Sequence, residues 1–92
     1  MYKIIYMKAD YEPWWEFEGW QEFVVSETEF EDRLQAEQFL KNLLHDFSLK
    51  YCKKQQKKDR FWAFWSENEA VYCDNCADDL QIYHGLIWQE VE

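Results

Sequence analysis

The sequence predicts an α+β fold: one antiparallel sheet, with elements in the order β-β-α-β-β-β along the chain, and one long helix packed on one face. Three observations lead there. Residues 33–51 carry apolar side chains at helical spacing, whereas the segments on either side carry them in alternation or in short aromatic runs. Two strand-like segments precede that helix and three follow it, which suits one sheet with the helix laid across it. The length, 92 residues, is that of one domain, spanning residues 1–92.

Tyr2 to Met7 reads as a strand, with Tyr2, Ile4 and Tyr6 on one face and Ile5 and Met7 on the other. Apolar residues on both faces predict a central strand. Asp10 to Gly19 reads as an irregular segment, because Pro13 blocks a ladder hydrogen bond and Gly19 tolerates unusual backbone angles. Trp20 to Thr28 is the second predicted strand, with imperfect alternation. The helix is expected over Arg33 to Tyr51. Asp32 and Gln35 form a capping pair at its start, and Ala36, Phe39, Leu40, Leu43, Leu44 and Phe47 make its apolar stripe. Glu37 stands four residues before Lys41, the favourable order for an ion pair. Gln55 to Asp59 reads as a polar connection and Arg60 to Trp65 as the third strand. A hairpin turn is expected at Ser66 to Glu69, then a short strand over Ala70 to Cys73 and a polar turn over Asp74 to Asp79. The last strand falls in the second half of Leu80 to Val91, with a helical turn as the alternative for Leu80 to Tyr83.

Seven Phe, six Tyr and six Trp give so short a chain the means to build a dense core, since each aromatic side chain buries roughly 150–250 Å². The net charge of −9 argues against general binding to phosphate backbones or to anionic membranes, and favours a basic partner. No apolar run approaches the roughly 20 residues of a membrane span, and Met1 to Lys8 is too short and strand-like for a signal peptide. Three cysteines, an odd number, suit a reducing cytoplasm better than a disulfide scaffold.

Three motifs carry chemistry. In Tyr11-Glu12-Pro13-Trp14-Trp15-Glu16-Phe17-Glu18-Gly19-Trp20, five aromatics are interleaved with carboxylates. Rings and acids both attract cations, so Tyr11, Trp14, Trp15, Phe17 and Trp20 are the candidate partner-binding residues, against the plainer reading that the indoles close one end of the core. Lys50, Lys53, Lys54, Lys57, Lys58 and Arg60 are six of the ten basic residues, and none follows Phe61. They are the candidates for nucleic-acid contact, against the plainer reading of a solvated helix end and loop. Cys73-Asp74-Asn75-Cys76 is half of a zinc site, with His84, Asp78 and Cys52 the nearest further ligands. Its parity with Leu80, Ile82, Leu86 and Trp88 makes His84 more simply a partly buried, hydrogen-bonded histidine. No metal and no cofactor is therefore expected. No phosphate-cradling loop or nucleophile elbow occurs, and His45 reads as a surface residue, so no enzyme activity is expected.

Tyr11-Glu12-Pro13-Trp14-Trp15, Gly19-Trp20, Phe64-Trp65, Cys73-x-x-Cys76 and Asp78-Asp79-Leu80-Gln81-x-Tyr83-His84 together resemble one small family, DUF1033, a domain of unknown function from Firmicutes. The resemblance covers nearly the whole chain. It implies a free-standing cytoplasmic protein and brings no catalytic residues. A DNA-binding label on some members, and neighbouring RNA polymerase or competence genes, point toward transcription or DNA uptake. The expected function is thus a protein-interaction or regulatory module using the acidic aromatic loop, with a nucleic-acid-associated protein using Lys50 to Arg60 as the alternative.

Overall fold

The computed structural model describes residues 1–67, 69–73 and 78–91, with the backbone alone for 70–73, 78 and 79. Five strands form one antiparallel sheet: β1 (Tyr2–Ala9), β2 (Val24–Phe30), β3 (Lys53–Lys57), β4 (Phe61–Trp65) and β7 (Tyr83–Glu90), in the spatial order β2-β1-β7-β4-β3. Two further strands, β5 (Ala70–Cys73) and β6 (Asp78–Gln81), pair only with each other. One helix, α1 (Arg33–Lys50), lies across one face of the larger sheet. This is the α+β class read from the sequence.

Helix α1 begins where Asp32 takes an extended backbone and its carboxylate accepts from the Leu34 N–H at 2.9 Å. It stops at Tyr51, which is extended and whose N–H closes on the Phe47 carbonyl at 2.9 Å. The ion pair expected between Glu37 and Lys41 is not the one made. Glu37 accepts from Arg33 one turn before it, at 2.9 Å, because the Arg33 side chain reaches over the first turn. Ala36 and Leu40 are the buried positions of the helix. They pack on Ile4, Trp62, Phe64 and Leu86, with Phe39, Leu43, Leu44 and Phe47 around them.

The pleat sends alternate residues to the opposite face. There Ile5, Met7, Ala9, Phe61 and Ile87 form a second core, and no helix covers it. The cover is the segment between β1 and β2, two 3-10 turns at Pro13–Trp15 and Trp20–Phe23, which lays Tyr11, Trp14 and Trp20 on that face. The close approach is specified by Gly85, in the middle of β7. A Cβ built there would stand 2.7 Å from the Pro13 Cβ and 2.9 Å from its Cγ, so the buried Pro13 ring occupies the space that any other residue would fill.

Several expected boundaries move. The second strand starts at Val24, not Trp20: Gly19 takes a left-handed conformation (φ 84°) and opens a 3-10 turn that tucks Trp20 into the second core. β1 is interior as expected, paired with β2 on one side and β7 on the other, and β7 is the middle strand. The residues read as a polar connection, Gln55 to Asp59, belong largely to β3, an edge strand in ladder register with β4 from Lys53 opposite Trp65 to Lys57 opposite Phe61. The β3–β4 turn has Lys58 and Asp59 both left-handed (φ 56° and 53°), the signature of a type I′ hairpin turn formed without glycine. The Ser66 to Glu69 turn closes as expected, with the Glu69 N–H on the Ser66 carbonyl at 3.0 Å, but it leads out of the large sheet into the β5–β6 ribbon. The expected turn over Asp74 to Asp79 lies mostly outside the described residues, and Asp78 and Asp79 begin β6. Leu80 to Tyr83 forms the end of β6 and the start of β7, not a helical turn.

Candidate functional site: an aromatic loop beside a basic edge strand

The loop between β1 and β2 sorts its rings by depth. Tyr11, Trp14 and Trp20 are half-buried on the second core, which makes them part of the fold's packing. Trp15 and Phe17 are each 53% exposed and Phe23 is 41% exposed. These outer rings are held in fixed relation. Tyr11 meets Phe17 edge-on at 4.9 Å and Phe23 edge-on at 5.8 Å, while Trp15 lies parallel to Phe17 with centroids 5.9 Å apart. The Trp15 indole N–H donates to the Glu12 carboxylate at 2.6 Å, which fixes the ring's orientation without burying it. A cleft of about 340 Å³, lined by Lys8, Ala9, Asp10, Phe23, Leu80 and Ile82, continues the apolar surface past Phe23. Asp10, Glu16, Glu18 and Glu22 are exposed along the rim.

Packing and the acids both leave their mark on two phenols, Tyr11 of the loop and Tyr83 at the start of β7. Burial, then the neighbouring Asp10 charge, raises the Tyr11 pKa; burial, then Glu12, raises that of Tyr83. Both hydroxyls stay protonated and remain hydrogen-bond donors at neutral pH.

The fold brings together two motifs that stand some forty residues apart in the sequence. By ladder register, Lys53 and Lys57 of β3 project to the loop's side of the sheet, and Lys54 projects to the helix side. The Lys57 ammonium lies 5.5 Å from the Trp14 ring centroid and 5.7 Å from that of Trp15, within cation–π range of both. The rest of the basic run is dispersed. Lys50 sits over Tyr51, Lys53 pairs with Glu67 at 3.3 Å, Lys58 is in the hairpin turn, and Arg60 packs over the ring of Phe61.

Residues 1–91 match the family model described as "Protein of unknown function (DUF1033)". The chain belongs to the DUF1033 family. No curated protein and no solved structure matches it. In this DUF1033 chain no helix among the described residues is long and apolar enough to cross a membrane.

A second cluster was not assembled by the sequence reading. His84 is 3% exposed and has a partner on each ring nitrogen: the Tyr6 hydroxyl at 2.7 Å from Nδ1, and the Glu69 carboxylate at 2.6 Å from Nε2. Tyr51 stacks on the imidazole at 4.2 Å, and Phe47 meets it edge-on. A carboxylate only accepts, so in the neutral imidazole Nε2 carries the proton and Nδ1 accepts from Tyr6. Glu69 is brought there by Gln81, whose amide donates to the carbonyls of Ser66 and Glu69, both at 2.7 Å. The parity that placed His84 inward was readable; its partners on β1 and in the 66–69 turn were not.

Burial, helped by Tyr51 and by the Glu69 charge, pushes the Tyr6 pKa up to about 12 from 10.0. The phenol is therefore a donor held in its protonated form, the opposite of an activated nucleophile. Because the folded pKa lies above the unfolded one, this contribution to stability is full below pH 10.0 and is lost as pH rises toward about 12. Chemical denaturation across that range is expected to show a loss of at most about 2 kcal/mol that Tyr6→Phe does not share.

Both His84 nitrogens are committed, so a metal would have to displace Glu69 or Tyr6. Of the zinc candidates, Cys76 and the Cys73 and Asp78 side chains lie outside what is described, and Cys52 is exposed. No group of three or more metal-ligating side chains occurs among the described residues.

Proposed function

We propose that this protein is a non-catalytic, cytoplasmic interaction module that docks a basic peptide segment of a partner protein on the Trp15, Phe17, Tyr11 and Phe23 rings. One observation carries the reading: Lys57 already lies over the Trp14–Trp15 pair, so an ammonium group sits against these rings within a rim of carboxylates. The anchor is apolar. Covering one such ring contributes about 1.5–3 kcal/mol, against about 0–1 kcal/mol for each exposed ion pair. The acids instead select the sign of the partner and speed its approach. Edge-to-face contacts hold the outer rings in place, which lowers the entropic cost of docking.

The nucleic-acid alternative gains one feature from the fold, since Lys53 and Lys57 share a face with the exposed rings. Glu12, Glu16 and Glu18 stand among those same rings and repel a phosphate backbone, so the peptide reading is preferred.

Titrating short peptides that carry Lys or Arg beside a Leu or Phe anchor, with acid-substituted peptides and single-stranded DNA as comparisons, tests it by tryptophan fluorescence and calorimetry. The basic peptides bind saturably, and the Trp15→Ala/Phe17→Ala variant, still folded by circular dichroism, binds them at least about tenfold more weakly. Equal binding by that variant, or binding of DNA alone, overturns the proposal.

A further inference from the structure

The two edges of the large sheet carry opposite charge. At one edge β2 and its flanks bear Glu22, Glu27, Glu29, Glu31 and Asp32, with no Lys or Arg between Glu22 and Asp32. At the other, β3 and its turn bear Lys53, Lys54, Lys57 and Lys58, and every residue of β3 is exposed. Among the described residues, each edge strand has one paired side and one free side of backbone N–H and C=O groups, the usual template for strand addition.

We propose that these edges recognise each other between two copies of this chain, β3 of one copy adding beside β2 of the next. The proposal uses the strand edges and not the exposed rings; it shares Lys57 with the peptide-docking reading, and Trp15→Ala/Phe17→Ala below separates the two.

Three arguments select this occupant. First, like edges exclude each other. A β3–β3 contact sets Lys against Lys and a β2–β2 contact sets Glu against Glu, so charge removes both two-fold pairings and leaves the unlike one. Second, the geometry matches. All neighbours in this five-stranded sheet are antiparallel, so its first and fifth strands, β2 and β3, run in the same direction. A copy added without turning the sheet over therefore pairs β3 with β2 in parallel. Ladder register puts Glu27 and Glu29 on the same face as Lys53 and Lys57, so the opposite charges meet on one side of the junction. Third, the charges are engaged at home only through exposed contacts, Lys53 with Glu67 at 3.3 Å among them. Lys3 reaches Glu27 and Glu29 at 3.9 and 3.6 Å, and these carboxylates are about half exposed. Exchanging such exposed pairs for others costs little.

Two consequences follow from the symmetry. A head-to-tail contact does not close on itself unless the rotation per copy allows a ring, so association grows with concentration and does not stop at a dimer. Parallel pairing through short, charged edges is weak and screened by salt.

Sedimentation velocity at low and high salt tests this on the full chain. Wild-type protein gains mass with concentration at low salt and returns to monomer at high salt. Glu27→Lys/Glu29→Lys and Lys53→Glu/Lys57→Glu, each confirmed folded by circular dichroism, are each at least about tenfold weaker in self-association when alone. An equimolar mixture of the two variants associates, because each then offers the edge that the other lacks. A monomer at every concentration in low salt overturns the proposal. So does a failure of the mixture to associate, or self-association undiminished in the single-edge variants but lost in Trp15→Ala/Phe17→Ala, which assigns the contact to the exposed rings.

Discussion

Replacing Gly85 by alanine lowers stability by about 2–3 kcal/mol, at the upper end of the usual cost of overpacking. The added methyl group has no free volume. It would stand 2.7 and 2.9 Å from two carbons of Pro13 and 3.1 Å from the Met7 Cγ. Met7 has a flexible side chain and can yield a few tenths of an ångström. Pro13 is a closed ring on a fixed backbone, so relief comes by lifting the Pro13–Trp15 turn off the sheet. The packing of Trp14 on the second core loosens with it, and Lys57 parts from both indoles. Two measurements check this: a lowered denaturation midpoint, and altered tryptophan fluorescence in the folded baseline before unfolding begins. Pro13→Gly in the same background removes both carbons that a Cβ at position 85 would strike and recovers part of the loss. If Gly85→Ala has wild-type stability, Pro13 is not seated on β7 as described.

Replacing His84 by leucine costs about 2–3 kcal/mol. The side chain keeps its bulk and its place among Tyr6, Phe47 and Tyr51, but two polar groups lose their partner together. The Tyr6 hydroxyl loses its His84 acceptor in a part-buried site, and stranding such a group costs about 1–3 kcal/mol, whereas the Glu69 carboxylate, 36% exposed, loses its donor but keeps access to water. Removing the stranded groups as well reverses much of the damage. His84→Leu/Tyr6→Phe/Glu69→Gln is more stable than His84→Leu alone, because no ionised or hydroxyl group then lacks a partner. A double-mutant cycle between His84→Leu and Tyr6→Phe returns a coupling of about 1 kcal/mol or more, as expected for residues in direct hydrogen-bond contact. Additive losses would mean that the Tyr6–His84 bond contributes nothing to the folded state. The cluster joins β1, β7, the end of α1 and the turn before β5, so its loss loosens the junction between the large sheet and the small ribbon.

The candidate site was legible in composition but not in depth. The aromatic loop stood out because five rings and three acids fall within ten residues. Which rings face water depends on what lies beneath them, and that is set by Gly85, about seventy residues further on. Trp14 and Trp20 therefore serve the core, whereas Trp15 and Phe17 do not, although Trp14 and Trp15 are neighbours. Phe23 was read as part of a strand. It belongs to the exposed ring cluster because the chain turns at Gly19 before the strand starts. Gln55 to Asp59 reads as a polar connection because β3 has no buried side chain and hence no alternation to detect. Its pairing with β4 runs through the backbone, to which sequence pattern is blind.

By itself the sequence determined the α+β class, the span of α1 and the two faces of β1. Each rests on a period, 3.6 for the helix and 2 for the strand, that local side-chain pattern carries in full. Only the tertiary structure decided that an irregular loop would cover the second face, that β3 would be an edge of opposite charge to β2, and that His84 would lie between Tyr6 and Glu69. Those outcomes join residues up to 78 positions apart. They turn on packing volume and hydrogen-bond geometry, and neither exists until the strands have chosen their neighbours.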